Sequence, residues 1–145
     1  MKNKILFTIL TGIFSIFLLS CEVTETYKLT LTANLSPDQT ILECVGRITK
    51  GKANYYQDKG FIIGIDKNLE YNPKTCYIIG LSTYEVQFAD VALIHEVEKQ
   101  VPLQADSIYY VRAYIRSNYG LFYSNIQPIF LKQEFIEEEF LENIE

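Results

Sequence analysis

Residues Ile108 to Ser117 alternate without a break. Tyr109, Val111, Ala113 and Ile115 fall on one side, and Tyr110, Arg112, Tyr114 and Arg116 on the other. A period of two marks a strand with one face turned to a core. Such a strand cannot stand alone, because its apolar face must be covered by a second layer. The same alternation recurs upstream. Tyr27 to Leu35 sets Tyr27, Leu29, Leu31 and Ala33 against Lys28, Thr30 and Thr32, and Thr40 to Thr49 sets Leu42, Cys44, Gly46 and Ile48 on one face. Ser36-Pro37-Asp38 between them is a turn, since proline fixes the backbone and the flanking polar side chains cap it.

Gly60 to Ile65 is apolar enough to be covered on both faces, and Thr75 to Leu81 is a shorter segment. The polar loops Lys50 to Asp58 and Asp66 to Lys74 flank Gly60 to Ile65. Tyr84 to His95 fits neither the strand nor the helix period, while Val97 and Val101 suggest a strand within Glu96 to Leu103. Asn118-Tyr119-Gly120 is a turn. Leu121 to Leu131 returns as the last strand, and Pro128 confines it to a sheet edge. Aromatic and β-branched residues favour strands, and the chain has 11 tyrosines and no tryptophan. Seven or so short strands joined by turns predict an all-β fold, a single antiparallel sandwich spanning residues 27–131. No internal repeat is visible, so the chain carries one such unit.

Both ends differ from this body. Residues 132–145 hold one lysine and six glutamates, with Ile136, Phe140 and Ile144 spaced four apart. That pattern is a short acidic amphipathic helix. It concentrates the negative charge of a chain whose formal net charge is -5, and leaves the body close to neutral. With no basic patch, nucleic acid is not an expected partner.

At the other end Lys2 and Lys4 precede an apolar run from Ile5 to Leu19, and Ser20-Cys21 closes it. This is the charged, apolar and small-residue order of an export signal, predicted as a helix over residues 1–20. A membrane span would need about 20 apolar residues, more than this run supplies. The closing Leu18-Leu19-Ser20-Cys21 resembles the bacterial lipobox. The resemblance implies cleavage before Cys21, lipidation of Cys21 by palmitate-type chains, and a tether over residues 21–26. It places the chain at the bacterial outer membrane, facing either the periplasm or the outside. Glu22 and Glu25 loosely match the surface-export signal of Bacteroidetes lipoproteins.

Besides Cys21 the chain has Cys44 and Cys76. In an exported domain such a pair fits either a disulfide or two buried thiols. The spacing does not suit zinc, and the one histidine, His95, cannot complete a cluster.

The stretch Leu103-Gln104-Ala105-Asp106-Ser107-Ile108-Tyr109-Tyr110-Val111-Arg112-Ala113-Tyr114 resembles the fibronectin type III-like, or immunoglobulin-like, domains of Bacteroidetes surface lipoproteins. Asn118, Gly120 and Tyr123 continue the likeness, as do Val45 to Thr49 and Lys59-Gly60-Phe61 upstream. It implies the sandwich already read from the alternation. Ala105 departs from the family, which often carries proline or glycine there. A leucine six residues before a tyrosine at a strand start also fits a tyrosine corner, with Leu103 plugging the core and Tyr109 bonding the chain upstream.

Groups able to break bonds are scarce. His95 lies in a context that reads as strand, and Glu137, Glu138 and Glu139 splay around the acidic segment. Asp66, Asn68 and Glu70 alternate like the start of a calcium loop, but Lys67 intervenes and Tyr71 stands where glycine is needed. No phosphate-binding glycine loop is present, and no cofactor is expected. The outward row Tyr110, Arg112, Tyr114 and Arg116 offers residue types that stack on and hydrogen-bond a protein or glycan ligand. The pattern is also a feature of the family it resembles, which favours a structural use, packing of the sheet edge or cation-π pairing within the sheet. Tyr55 and Tyr56, in a polar loop, are a second contact candidate. Together these features predict a non-enzymatic, membrane-anchored binding or structural module of the cell envelope. The alternative is an accessory subunit of a surface adhesion or glycan-capture complex, docking through its C-terminal tail.

Overall fold

The computed structural model describes residues 26–52, 56–105 and 107–132. The export signal, Cys21, Tyr55, Asp106 and the acidic segment from 133 onward lie outside the described residues. Among the described residues, seven strands and one helix succeed one another in chain order: β1 Lys28–Leu35, β2 Ile41–Lys50, β3 Tyr56–Gly64, β4 Tyr77–Leu81, β5 Gln87–Leu93, α1 Ile94–Gln100, β6 Tyr109–Ser117 and β7 Gly120–Ile129. They form two antiparallel sheets, one in the order β1-β2-β5 and the other β4-β3-β6-β7. The chain is thus an all-β sandwich, as its alternation predicts.

The core lies between the sheets and is supplied by alternate residues. Leu29, Leu31 and Ala33 of β1, Leu42, Cys44 and Ile48 of β2, and Val111, Ala113 and Ile115 of β6 all face inward. The β1–β2 turn is locked by local bonds. The Ser36 hydroxyl donates to Asp38 at 2.6 Å and accepts from the Ile41 amide at 3.0 Å. These bonds, with those from Thr40, hold the Asp38 carboxyl below its usual range. Gln39 takes the left-handed conformation the turn requires (φ 58°).

Strand β1 is an edge of its sheet, and β7 covers it with side chains. The Asn125 carboxamide accepts from the Leu31 amide at 3.3 Å, and that of Gln127 from the Ala33 amide at 2.9 Å. Gln127 also donates to the Ala33 carbonyl. Strand β7, carrying Pro128, pairs only with β6 and so is an edge, as proline predicts.

The stretch from 84 to 103 corrects the sequence reading. Residues 87–93 are a strand, and 94–100 are a helix where the apolar spacing predicts a further strand. The helix buries Ile94 and Val97, one turn apart, against the main core. His95 therefore stands on a helix and not on a strand.

The cysteine pair is also settled. Cys44 and Cys76 are both buried and both free. Cys44 lies in the core between the sheets, whereas Cys76 belongs to a second apolar cluster with Ile62, Leu69 and Tyr114. Ile62 and Tyr114 alternate with core-facing Phe61, Ile63, Ala113 and Ile115, so this cluster lies on the far side of the β3–β6 sheet. That sheet separates the two thiols, and no disulfide joins them.

Candidate functional site

Strand β6 presents Tyr110, Arg112, Tyr114 and Arg116 on the outer face of the four-stranded sheet, as the alternation requires. The face is not open. The loop between β3 and β4 folds across it, bringing Leu69 and Tyr71 onto the row. Tyr114 is fully buried, and its hydroxyl donates to Asp58 at 2.9 Å. Its ring meets that of Tyr71 edge-on at 5.0 Å. The Arg112 guanidinium lies 4.4 Å over the Tyr123 ring and donates to the Ser124 and Leu69 carbonyls at 2.9 and 3.0 Å. Arg116 lies 4.4 Å over Tyr71, whose own amide donates to the Tyr123 hydroxyl at 2.9 Å. Tyr110 packs half-buried against the same cluster. These contacts use the stacking faces and donors that a ligand would need. The row serves as a clasp for the loop, the structural one of its two expected uses, and not as an open binding face.

Tyr56 is likewise engaged. Its hydroxyl donates to the Thr83 carbonyl, and its ring lies 6.1 Å from that of Tyr84. Beside it the sequence concealed a buried cation. Lys59 has no exposed surface; its ammonium sits 4.8 Å from both the Tyr56 and Phe88 rings and donates to the Glu85 carbonyl. A buried charge is tolerable only when paired in this way. The available signal was period: Lys59 shares its strand face with Phe61 and Ile63. Tyr56 and Lys59 together fasten the connection between β4 and β5 to the body.

The open concavity lies elsewhere. A cleft of about 810 Å³ separates the β3–β4 loop from the segment just after α1. Leu69, Cys76, Val101 and Pro102 provide apolar lining, and Glu70, Lys74, Gln100 and Gln104 contribute polar groups. Asp66 and Asn72 shape the loop, accepting from the amides of Asn68 and Lys74 at 2.8 and 3.0 Å. Gln100 ties the helix across the cleft by donating to the Cys76 carbonyl at 2.9 Å. No sequence pattern marks this cleft, because it is made by two segments remote in the chain. It can bury a small apolar group and hydrogen-bond its polar edges.

His95 lines a separate depression of about 280 Å³, with Thr40, Glu98 and Leu131. Its imidazole is mostly exposed and meets Glu96 at 2.9 Å. Among the described residues no three His, Cys, Asp or Glu side chains converge to hold a metal ion, and no helix is long and apolar enough to cross a membrane. At the start of β6, Tyr109 is fully buried and its hydroxyl donates to the Val101 carbonyl at 2.7 Å, while Leu103 packs half-buried against the main core.

Burial of these acidic hydrogens makes the fold sensitive to alkali. Desolvation pushes the Cys44 thiol up to about 12, and the Tyr109 phenol up to about 12 with help from the Glu98 charge. Burial and the bond to Asp58 raise Tyr114 as well. The unfolded chain gives up these protons near 9.0 for the thiol and 10.0 for the phenols, while the folded chain still holds them. Stability from these groups is therefore present below pH 9 and is lost as pH rises toward 12. Each group contributes a slope of up to about 1.4 kcal/mol per pH unit. Lys59 acts oppositely below 10.5, because burial lowers its value in the folded state. The expected result is a urea midpoint that falls steeply above pH 10, with the tyrosinate absorbance of Tyr109 and Tyr114 appearing only as the chain unfolds. Tyrosinate signal from all tyrosines of the folded protein near pH 10 would contradict it.

Searches of protein-family models, curated proteins and solved structures find no match to this chain.

Proposed function

We propose that the chain is a membrane-anchored, non-catalytic binding or structural module of the bacterial cell envelope. It is held at the outer membrane by lipid on Cys21 and displays one fibronectin type III-like sandwich. The observation that carries this reading is the N-terminal order: two lysines, an apolar run, and Leu18-Leu19-Ser20-Cys21 directly before a single domain. Each buried methylene of an acyl chain contributes about 0.8 kcal/mol of membrane affinity, so several chains anchor stably where one does not. The strand order β1-β2-β5 against β4-β3-β6-β7 supports the fibronectin type III-like assignment. So does the bond from Tyr109 to the chain eight residues upstream, the type of contact found in tyrosine corners. With the tyrosine–arginine row spent on the fold, the cleft beside Gln100 is the surface best suited to a protein or glycan ligand.

The test is metabolic labelling with a palmitate analogue, followed by membrane fractionation of the full chain and of Cys21→Ser. The parent should carry label and sediment with membranes, and the variant should lose both. Protease added to unbroken cells then distinguishes surface display from a periplasmic position. A parent without label, or a Cys21→Ser chain with unchanged labelling, would remove the basis of the proposal.

A further inference from the structure

The three-stranded sheet has an outer face that the second sheet does not cover. On β5, Val91 is 53% exposed and Leu93 is 42% exposed. Leu93 pairs across with Ile41 of β2, and Ala89 with Val45, so apolar side chains form a strip along these two strands. Further along, the face turns basic: Arg47 lies beside Thr30, and Lys50 beside Lys28. Glu43, next to Val91, is the acidic exception.

The chain leaves the sandwich at the apolar end of this strip. Leu131 packs against the main core, and the Lys132 amide donates to the Gln39 side chain at 2.5 Å, in the turn that leads into Ile41. The C-terminal segment beyond Lys132 has complementary chemistry. Residues 133–145 place Ile136, Phe140 and Ile144 four apart and carry six glutamates.

We propose that residues 133–145 pack back as an amphipathic helix along the outer face of the three-stranded sheet. Ile136, Phe140 and Ile144 would seat on the Ile41–Val91–Leu93 strip, and the glutamates would run toward Arg47, Lys28 and Lys50. Length agrees with this placement. A helix of this segment is about 20 Å long at 1.5 Å per residue, and β2 advances about 20 Å from Ile41 to Arg47 at about 3.4 Å per residue. Charge agrees too, since the acidic segment begins beside the apolar end and reaches the basic end. A helix so short is marginal in water and forms when its apolar stripe is covered. Attachment at Lys132 keeps the segment at high effective concentration over this face, ahead of any free partner.

The experiment uses the full chain carrying Phe140→Trp, which introduces its single tryptophan. The expected result is blue-shifted emission that acrylamide quenches poorly, from a particle whose light scattering gives a monomer. Adding Val91→Glu with Leu93→Glu should restore the emission and quenching of an exposed indole. Both replaced side chains are exposed, so the sandwich persists, as circular dichroism will verify. Ile136→Glu, which lies outside the sandwich, should have the same effect. An exposed indole in the parent overturns the proposal, as does shielding that survives these substitutions. Shielding that disappears on dilution together with a dimer would also overturn it, assigning the face to the segment of a second copy.

Discussion

Gly60→Ala should strongly destabilise the fold at neutral pH. A Cβ at this position would lie 1.8 Å from the Ile79 carbonyl oxygen of the neighbouring strand. That atom belongs to backbone held in register by the β3–β4 ladder, where Phe61 pairs with Ile79 and Gly60 with Gly80. Relief requires β4 to move bodily, and with it the loop and the Tyr114–Tyr71 contacts beyond. The expected loss is about 3 kcal/mol or more, a large fraction of the roughly 5–15 kcal/mol by which a domain of this size is stable. Gly80→Ala provides the comparison. There the added carbon would meet only Asp58 and Tyr114 side-chain oxygens at 3.6 and 3.8 Å, an ordinary contact. Urea unfolding of the two variants should differ widely. Equal midpoints would show that the strands do not approach as described.

Tyr109 is expected to be the most costly tyrosine to truncate. Its ring is fully buried in the main core, and Tyr109→Ala should cost about 3–5 kcal/mol, the range for deleting a large aromatic from a packed interior. Tyr109→Phe keeps the ring and removes one bond. It leaves the Val101 carbonyl without that donor and should cost about 1–2 kcal/mol. The two effects separate in space. The alanine change should lower global stability, whereas the phenylalanine change should also speed amide exchange around Val97 to Val101, where α1 ends. Exchange in that segment unchanged by Tyr109→Phe would show that the hydroxyl does not secure the helix.

Legibility in the sequence followed burial. Strands β1 and β2 each bury one side of an alternating run, and β6 alternates apolar residues with the tyrosine–arginine row, so their period was plain. The region 84–103 was not legible, for two physical reasons. Strand β5 is an edge strand that exposes Val91 and Leu93, so apolar residues fall on both its faces and the period is erased. The helix after it is seven residues long and buries only Ile94 and Val97, too little for a helical period to register. The tyrosine–arginine row was read in its residues and in its cation-π pairing, but not in the loop that covers it. Tyr110, Arg112, Tyr114 and Arg116 do share one face, yet the loop that lies on them starts some forty positions upstream, and no local pattern shows where a loop will fold. The same distance concealed the cleft. Cys44 was legible on the inward face of β2, but its pairing was not, because Cys76 precedes a strand whose inward side the sequence leaves ambiguous.

The side-chain bonds between β1 and β7 have a mechanical meaning. Leu31 meets Asn125 and Ala33 meets Gln127, so the first and last strands run in the same direction. The start of β1 and the end of β7 therefore lie at opposite ends of the sandwich. A pull applied through the two ends of the described chain acts along these strands, and slides them past one another. Under such a load the carboxamide bonds and the β1–β2 ladder are strained together and not peeled one at a time. The rate of forced unfolding is then set by the rupture of many bonds at once. Tension between the two ends of the described chain therefore loads these contacts in shear.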